Sequence, residues 1–241
     1  MTTAATPSEG WAVELTGHRI DLDDLREMLA PPFEPWVEDY EDGGEVRLLL
    51  RYGGWATIDD TSALAADASF LVERLNGAKP LTNSDARPIA LGRFFKFAAD
   101  GSLLPFVIAA SGHITFASFR ARGRGSVVSD EPPPPPQPSQ LQNWLQAADT
   151  SDDRSDLFVH IARCDNWYDI YKAAEIIRRM AGSKKKLHKL LSPDQVDWDR
   201  VWQTANTNRH ARDLVKYPPP SVPATLDEAR GMILKAAKLV A

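Results

Sequence analysis

Cysteine is nearly absent from this chain. With Cys164 alone, no intrachain disulfide can form, and nothing points to an oxidising compartment. Long apolar runs are missing too. The longest lies around residues 103–110, far short of the ~20 residues that span a bilayer. Residues 1–10 are small and polar, without the basic start and apolar stretch of a secretory leader. A cytoplasmic protein of bacterial type, with no membrane partner, is the expectation. Glycine-rich phosphate motifs are also lacking: neither a P-loop nor GxGxxG occurs. No zinc quartet or catalytic triad is visible, so neither a cofactor nor a metal is expected.

What is present is ordinary in amount and uneven in placement. Of 241 residues, 43% are hydrophobic and 25% charged, as in a typical globular protein. Five of the 18 prolines run consecutively at 132–136, and Pro138 follows. Such a run adopts polyproline II at ~3.1 Å per residue, so residues 132–138 would extend roughly 20 Å. It reads as a stiff spacer, and it also has the composition of a ligand for a PxxP-gripping domain. Taken as a boundary, it divides the chain into an α+β domain at 10–125, a linker at 126–139 and an all-α domain at 140–241.

Charge divides at the same place. The net charge is −5. Residues 1–139 hold 12 Lys and Arg against 20 Asp and Glu, whereas residues 140–241 hold 16 against 13. Within 178–216 the count is 10 against 4. An acidic half and a locally basic half suit different partners, and they could equally attract each other.

The pattern of apolar residues predicts the elements. Residues 11–16 and 46–52 read as strands, with a short helix from Asp21 ended by Pro31, Pro32 and Pro35. A longer helix starts at Asp60 or Thr61. It carries Leu64, Ala68, Leu71, Val72 and Leu75 on one side, and Asn76-Gly77 supplies its stop. Residues 89–98, 103–109 and 113–120 form an antiparallel meander with Asp100-Gly101 and Ser111-Gly112 at its joints. The C-terminal half is helical at 140–148, 155–164 and 166–181. The last of these is capped by Asn166, stopped by Gly182 and striped by Trp167, Ile170, Tyr171, Ala174, Ile177 and Ala181. Ser192-Pro193-Asp194-Gln195 reads as a capping box before a helix burying Trp198, Val201, Trp202 and Ala205. Thr225-Leu226-Asp227-Glu228 is a second box, opening the last helix.

The chemistry concentrates at residues 204–212. Asn206, Asn208, Arg209, His210 and Arg212 make this stretch dense in amide, imidazole and guanidinium and free of acids. Arg offers phosphate a planar fork, His moves a proton, and amides bond oxygens. The structural alternative is that the asparagines cap backbone groups while the arginines pair with the acidic half. Lys184, Lys185, Lys186 and Lys189, with Arg178 and Arg179 before them, form the electrostatic counterpart. They also read as a solvated face at the negative end of a helix dipole. Arg120, Arg122 and Arg124 share one strand face. His160 and Cys164, four apart, could pair thiol with imidazole or supply half a metal site, but a lone cysteine on an amphipathic helix is usually core. The acids Glu38, Asp39, Glu41, Asp42 and Glu45 around Gly43-Gly44 lack calcium-loop spacing and read as a solvated hairpin tip. His18 and His113 sit at turns.

Several stretches carry a resemblance. Trp11…Glu14-Leu15-Thr16-Gly17…Asp21-Leu22, Asn166-Trp167-Tyr168-Asp169-Ile170-Tyr171-Lys172, Glu175-Ile176-Ile177-Arg178, Thr204-Ala205-Asn206…Arg209-His210 and Leu226-Asp227-Glu228-Ala229-Arg230 resemble a set of uncharacterised bacterial two-domain proteins. The resemblance implies the two-domain architecture and no reaction. The helical half also resembles HEPN-class ribonuclease domains more weakly. Those place an Arg four to six residues before a His, whereas Arg200 here precedes His210 by ten and Arg209 touches it.

Three functions follow as expectations. The first is a binding protein whose helical domain contacts an anionic partner such as nucleic acid. The second is a metal-independent ribonuclease of toxin or antiviral type, with His210 as acid or base. The third is a protein–protein interaction module.

Overall fold

The computed structural model describes residues 9–42, 45–98, 103–106, 135–209 and 218–241. Among these residues, five strands form one antiparallel sheet: β1 (Gly10–Thr16), β2 (Trp36–Asp42), β3 (Glu45–Arg51), β4 (Ala90–Phe97) and β5 (Leu103–Phe106), in the order β2-β3-β1-β4-β5. Eight α-helices among the described residues accompany it: α1 (Arg19–Met28), α2 (Thr61–Thr82), α3 (Gln140–Asp149), α4 (Asp152–Ala162), α5 (Trp167–Met180), α6 (Lys184–Leu191), α7 (Gln195–Asn208) and α8 (Leu226–Lys238). The α+β class is as expected. The β4–β5 hairpin matches the first two strands of the meander. Its third strand, with His113, Arg120, Arg122 and Arg124, lies outside the described residues, as do residues 107–134 as a whole.

Strand alternation sets the layers. Trp11, Val13, Leu15, Leu48, Leu50, Val37 and Phe94 turn to one face of the sheet and join the main core with Leu25 and Leu29 of α1. Ala12, Leu49, Phe95 and Phe97 turn to the other face, with Tyr40 against them. Unlike the rest of the sheet, β2 is not apparent in the sequence pattern. Four acids in seven residues disfavour a strand by propensity, yet β2 pairs with β3 along its whole length, from Trp36↔Arg51 to Asp42↔Glu45. It is an edge strand, where charge blocks pairing with another chain. Glu38 and Asp39 accept from Arg51 and Arg26, both at 2.7 Å, so two of the expected solvated acids are ion-paired.

The main core does not stop at the sheet. It continues through α2 into Leu141, Leu157, Phe158, Ile170, Ile177, Trp198 and Ile233 of the C-terminal helices. The expected end of α2 at Asn76-Gly77 is corrected accordingly, because the helix runs on to Thr82. Asn76 is engaged sideways, donating to Ile89 O at 2.9 Å and accepting from Ile89 N at 2.8 Å. Gly77 sits where α2 meets α4, and a Cβ there would come 1.8 Å from the Phe158 carbonyl oxygen. Its value is the missing side chain, which lets two backbones touch.

Two further corrections fall in the C-terminal half. The expected capping box at Ser192 does not form. Ser192-Pro193 is a cis peptide, α7 begins only at Gln195, and Asp194 makes no side-chain cap. The basic cluster divides between helix ends: Arg178 and Arg179 lie in the last turn of α5 and Lys189 in that of α6, at the negative end as expected, but the three consecutive lysines do not. Ser183 caps α6, accepting from Lys186 N at 3.2 Å, so Lys184, Lys185 and Lys186 occupy the first turn at the dipole's positive end. The Thr225 box does form, with its Oγ1 accepting from Glu228 N at 3.2 Å.

A buried ion pair joins α1 to α2. Lys79, 0% exposed, donates to Asp21, 5% exposed, at 2.7 Å, and Asp21 also accepts from Arg87 N at 3.0 Å. Burial alone would raise the Asp21 carboxyl, but the bonds from Lys79 and the Arg87 backbone and the charges of both residues hold it below its ordinary value. The stability it contributes is therefore present above the unfolded carboxylate range, near pH 4, and is lost as pH falls through the lower folded value.

Two variants test these contacts by urea unfolding. Gly77→Ala should lower stability by about 3 kcal/mol, because backbone must move to admit the methyl group. Asp21→Asn should cost about 3–5 kcal/mol at neutral pH, since Lys79 is left buried without a counter-charge. It should also flatten the acid limb of the stability curve. An Asp21→Asn chain as stable as the parent would show that the pair does not hold α1 on α2.

Candidate functional site

The site is built on α5. Asn166 caps it, its Oδ1 accepting from the backbones of Tyr168 and Asp169 at 3.0 Å each. Of the expected stripe, Ile170, Tyr171, Ala174 and Ile177 are buried, while Trp167 and Ala181 pack half-buried at its ends. Gly182, at φ +81°, turns the chain directly into α6. Leu187 and Leu191 anchor α6, and Trp198, Val201 and Ala205 anchor α7.

Where α7 crosses α5, the Tyr171 and Trp202 rings meet at 5.1 Å, tilted by 45°, with Trp198 a further 6.5 Å from Trp202. A guanidinium lies against each partner of that pair. Arg209 sits 3.5 Å from the Tyr171 ring centre and Arg178 4.8 Å from that of Trp202. Each contact contributes roughly 0.5–1 kcal/mol where it is exposed. Arg209 Nε also donates to Asn206 Oδ1 at 3.1 Å. The Tyr171 hydroxyl donates to Glu175 at 2.7 Å, and Lys172 donates to the same carboxylate at 3.3 Å. Burial first, then the bond to Glu175, raises the Tyr171 hydroxyl above its ordinary value, so it remains a donor at neutral pH. Burial would raise Glu175, but the bonds from Tyr171 and Lys172 and the charges of Lys172 and Arg209 keep it below its ordinary value and ionised.

Beside these rings is a cavity of about 450 Å³ at the α5–α6 junction, lined by Glu175, Arg178, Arg179, Gly182, Ser183 and Lys184. Arg179 is paired with Asp153 at 2.5 Å, and Lys184 with Asp199 at 3.0 Å. Among the described residues, no carboxylate forms an ion pair with Arg178, Lys185, Lys186, Lys189 or Arg209.

The residues singled out from the sequence divide into three groups. Asn206 and Arg209 come together, on the α7 end that meets α5. Asn208 is turned back, its amide donating to Thr204 O at 2.8 Å, as the structural alternative required. Lys184 lies elsewhere, lining the α5–α6 cavity and paired with Asp199 near the start of α7, and Lys185 and Lys186 share the first turn of α6 with it. His210 and Arg212 lie outside the described residues. Tyr171, Trp202 and Glu175 were missed as site residues, whereas Arg178 was named with the basic cluster. The i, i+4, i+7 spacing of Tyr171, Glu175 and Arg178 was available in the sequence, but nothing there shows that Trp202 meets them.

Cys164 is no nucleophile. It lies just past the end of α4, and its thiol donates to the His160 carbonyl at 3.0 Å. The His160 ring bonds Asp169 instead, through Nδ1 at 2.7 Å. Burial, with the Asp169 charge behind it, pushes the thiol up to about 12. Among the described residues, no group of three or more His, Cys, Asp or Glu side chains could hold a metal ion. His18 caps no backbone group and lies 3.9 Å from Asp21. No helix among the described residues is long and apolar enough to cross a membrane. No protein-family profile, curated protein or solved structure matches the chain.

The thiol assignment has a direct check. At pH 8 the native Cys164 thiolate population should be about a thousandfold below that of a free cysteine, given the shift to about 12. A disulfide reagent should therefore label the folded protein only very slowly and the urea-unfolded chain at once. Rapid labelling of the folded protein would contradict the burial.

Proposed function

We propose that this protein binds an anionic polymer, nucleic acid, without cleaving it, through the face formed by the end of α5, the first turn of α6 and the end of α7. One observation carries the reading. Arg178, Lys185, Lys186, Lys189 and Arg209 have no ion-pair carboxylate among the described residues, although the chain carries more acids than bases. Cations left unpaired in a protein of net charge −5 form a local field that attracts phosphate. Two of the five are seated on aromatic rings, which holds their forks in place for an oxygen.

In this reading residues 140–241 are the binding half, and residues 10–125 an acidic scaffold fused to it through α2. Cleavage would require a free amide or base beside the clamp. Asn206 gives its oxygen to Arg209 and Asn208 its amide nitrogen to Thr204, so each side chain is already partly engaged within α7.

Titration of the protein with RNA and DNA at 50 and 200 mM salt is the test. Affinity should fall about a hundredfold between the two for some five phosphate contacts. The triple change Lys184/Lys185/Lys186→Ala should weaken binding and reduce the salt slope by roughly 2. Binding that ignores both salt and the triple change would remove the proposal.

A further inference from the structure

We infer that Arg178, stacked on Trp202 beside the α5–α6 cavity, is a platform for one base of a single-stranded nucleic acid, whose phosphate occupies the cavity. The inference rests on the polyanion-binding reading above and narrows it to single strands.

The geometry supplies each part. A guanidinium is planar. The Arg178 guanidinium carbon lies over the Trp202 ring, 4.8 Å from its centre, and the residue is exposed, so it stands between the indole and solvent. Bases stack on arginine planes as they do on aromatic rings. The platform is braced from below, since Trp202 rests on Tyr171 at 5.1 Å and Tyr171 carries Arg209 on its ring at 3.5 Å. The cavity adjoining Arg178, at about 450 Å³, falls within the roughly 300–1,000 Å³ of small-molecule sites.

The charge inside the cavity favours one phosphate. Arg178, Arg179 and Lys184 line it against one described carboxylate, Glu175. Glu175 is already engaged by Tyr171 at 2.7 Å and Lys172 at 3.3 Å, which softens its repulsion of an anion. Arg179 and Lys184 are held by Asp153 and Asp199, but their side chains are 58% and 59% exposed. The single-contact Lys184–Asp199 pair is of the kind that adds little stability, so a phosphate can take over Lys184, whereas Arg179 stays gripped by both oxygens of Asp153.

The same arrangement argues against a duplex. Paired bases keep their faces inside the helical stack and offer none to a side-chain plane at a cavity mouth. A single strand unstacks a base at small cost and presents base and phosphate together.

Fluorescence anisotropy with a short labelled oligouridylate, a hairpin duplex of equal length and uridine monophosphate as competitor separates the cases. The single strand should bind about tenfold more tightly than the duplex. Arg178→Lys, which keeps the charge and removes the plane, should weaken the single strand by about tenfold and the duplex by several-fold less. A melting curve matching the parent's would assign that loss to the contact rather than to the fold. Equal binding of both forms, insensitive to Arg178→Lys while Lys185→Ala still weakens each, would overturn this inference and leave the polyanion reading intact. Displacement by the mononucleotide at the oligomer's own affinity would overturn it as well, by making a free nucleotide the occupant. No binding of any of the three would remove both readings.

Discussion

The contact of α2 with α4 at Gly77 is the constraint on which the rest of the molecule depends. Two helix backbones meet there with no side chain between them, against the carbonyl of Phe158. Because α2 also covers the sheet, one helix belongs to both layers, and the apolar core runs unbroken from Trp11 to Ile233. Polar contacts reinforce the junction on either side. Arg74 of α2 donates to Asp149 at 2.7 Å, and Tyr52 reaches the same carboxylate at 3.1 Å. Arg163 clasps Glu73 with its Nη2 at 2.8 Å. After the proline run, Gln142 of α3 donates one amide to the carbonyls of Ala30, Phe33 and Pro35, at 3.0, 2.8 and 3.1 Å. A buried amide shared among three carbonyls fixes where the second half docks on the first, because Gln142 and the Pro35 carbonyl would otherwise be desolvated without a partner.

The charge asymmetry then takes on a specific meaning. Opposite halves could have cancelled each other across the junction, and two pairs among the described residues do so: Arg74 with Asp149 and Arg163 with Glu73. The basic cluster is not among them. Its paired members use acids of their own half: Arg179 with Asp153, Lys184 with Asp199 and Arg200 with Glu228. The acids of the sheet are occupied locally, Glu14 by Arg47 and Arg93, Glu38 by Arg51 and Asp39 by Arg26. Among the described residues, the surplus positive charge near α6 therefore lacks ion-pair carboxylates because of where the acids sit, not because they are few.

Local signals in the sequence carried over well, and signals that depend on a distant neighbour did not. Asn166 and Thr225 cap as expected because a cap requires only the next three residues. The α5 stripe is legible for the same reason. Asn76-Gly77 has the composition of a helix stop, but the glycine answers to Phe158, 81 positions away, and the asparagine to Ile89. Strand β2 is hidden because pairing with β3 overrides the propensity of its acids. At the site, Asn206 and Arg209 were legible as chemistry. Their setting was not, since Tyr171 and Trp202 read in sequence only as core positions of two separate helices.

That setting decides whether the arginines are ligands or struts. An arginine held by a carboxylate is neutralised, and an exposed, unsupported one loses several rotors when it grips an anion. Arg178 and Arg209 are neither. Each keeps its charge while an aromatic face restricts its side chain. Much of the conformational entropy lost on binding has then been given up at folding, when Tyr171 and Trp202 came together. The positive field near α6 attracts any anion, but a fork fixed in plane by a ring discriminates among them. In the proposed reading, the pairing of α5 with α7 is what turns a basic surface into a site.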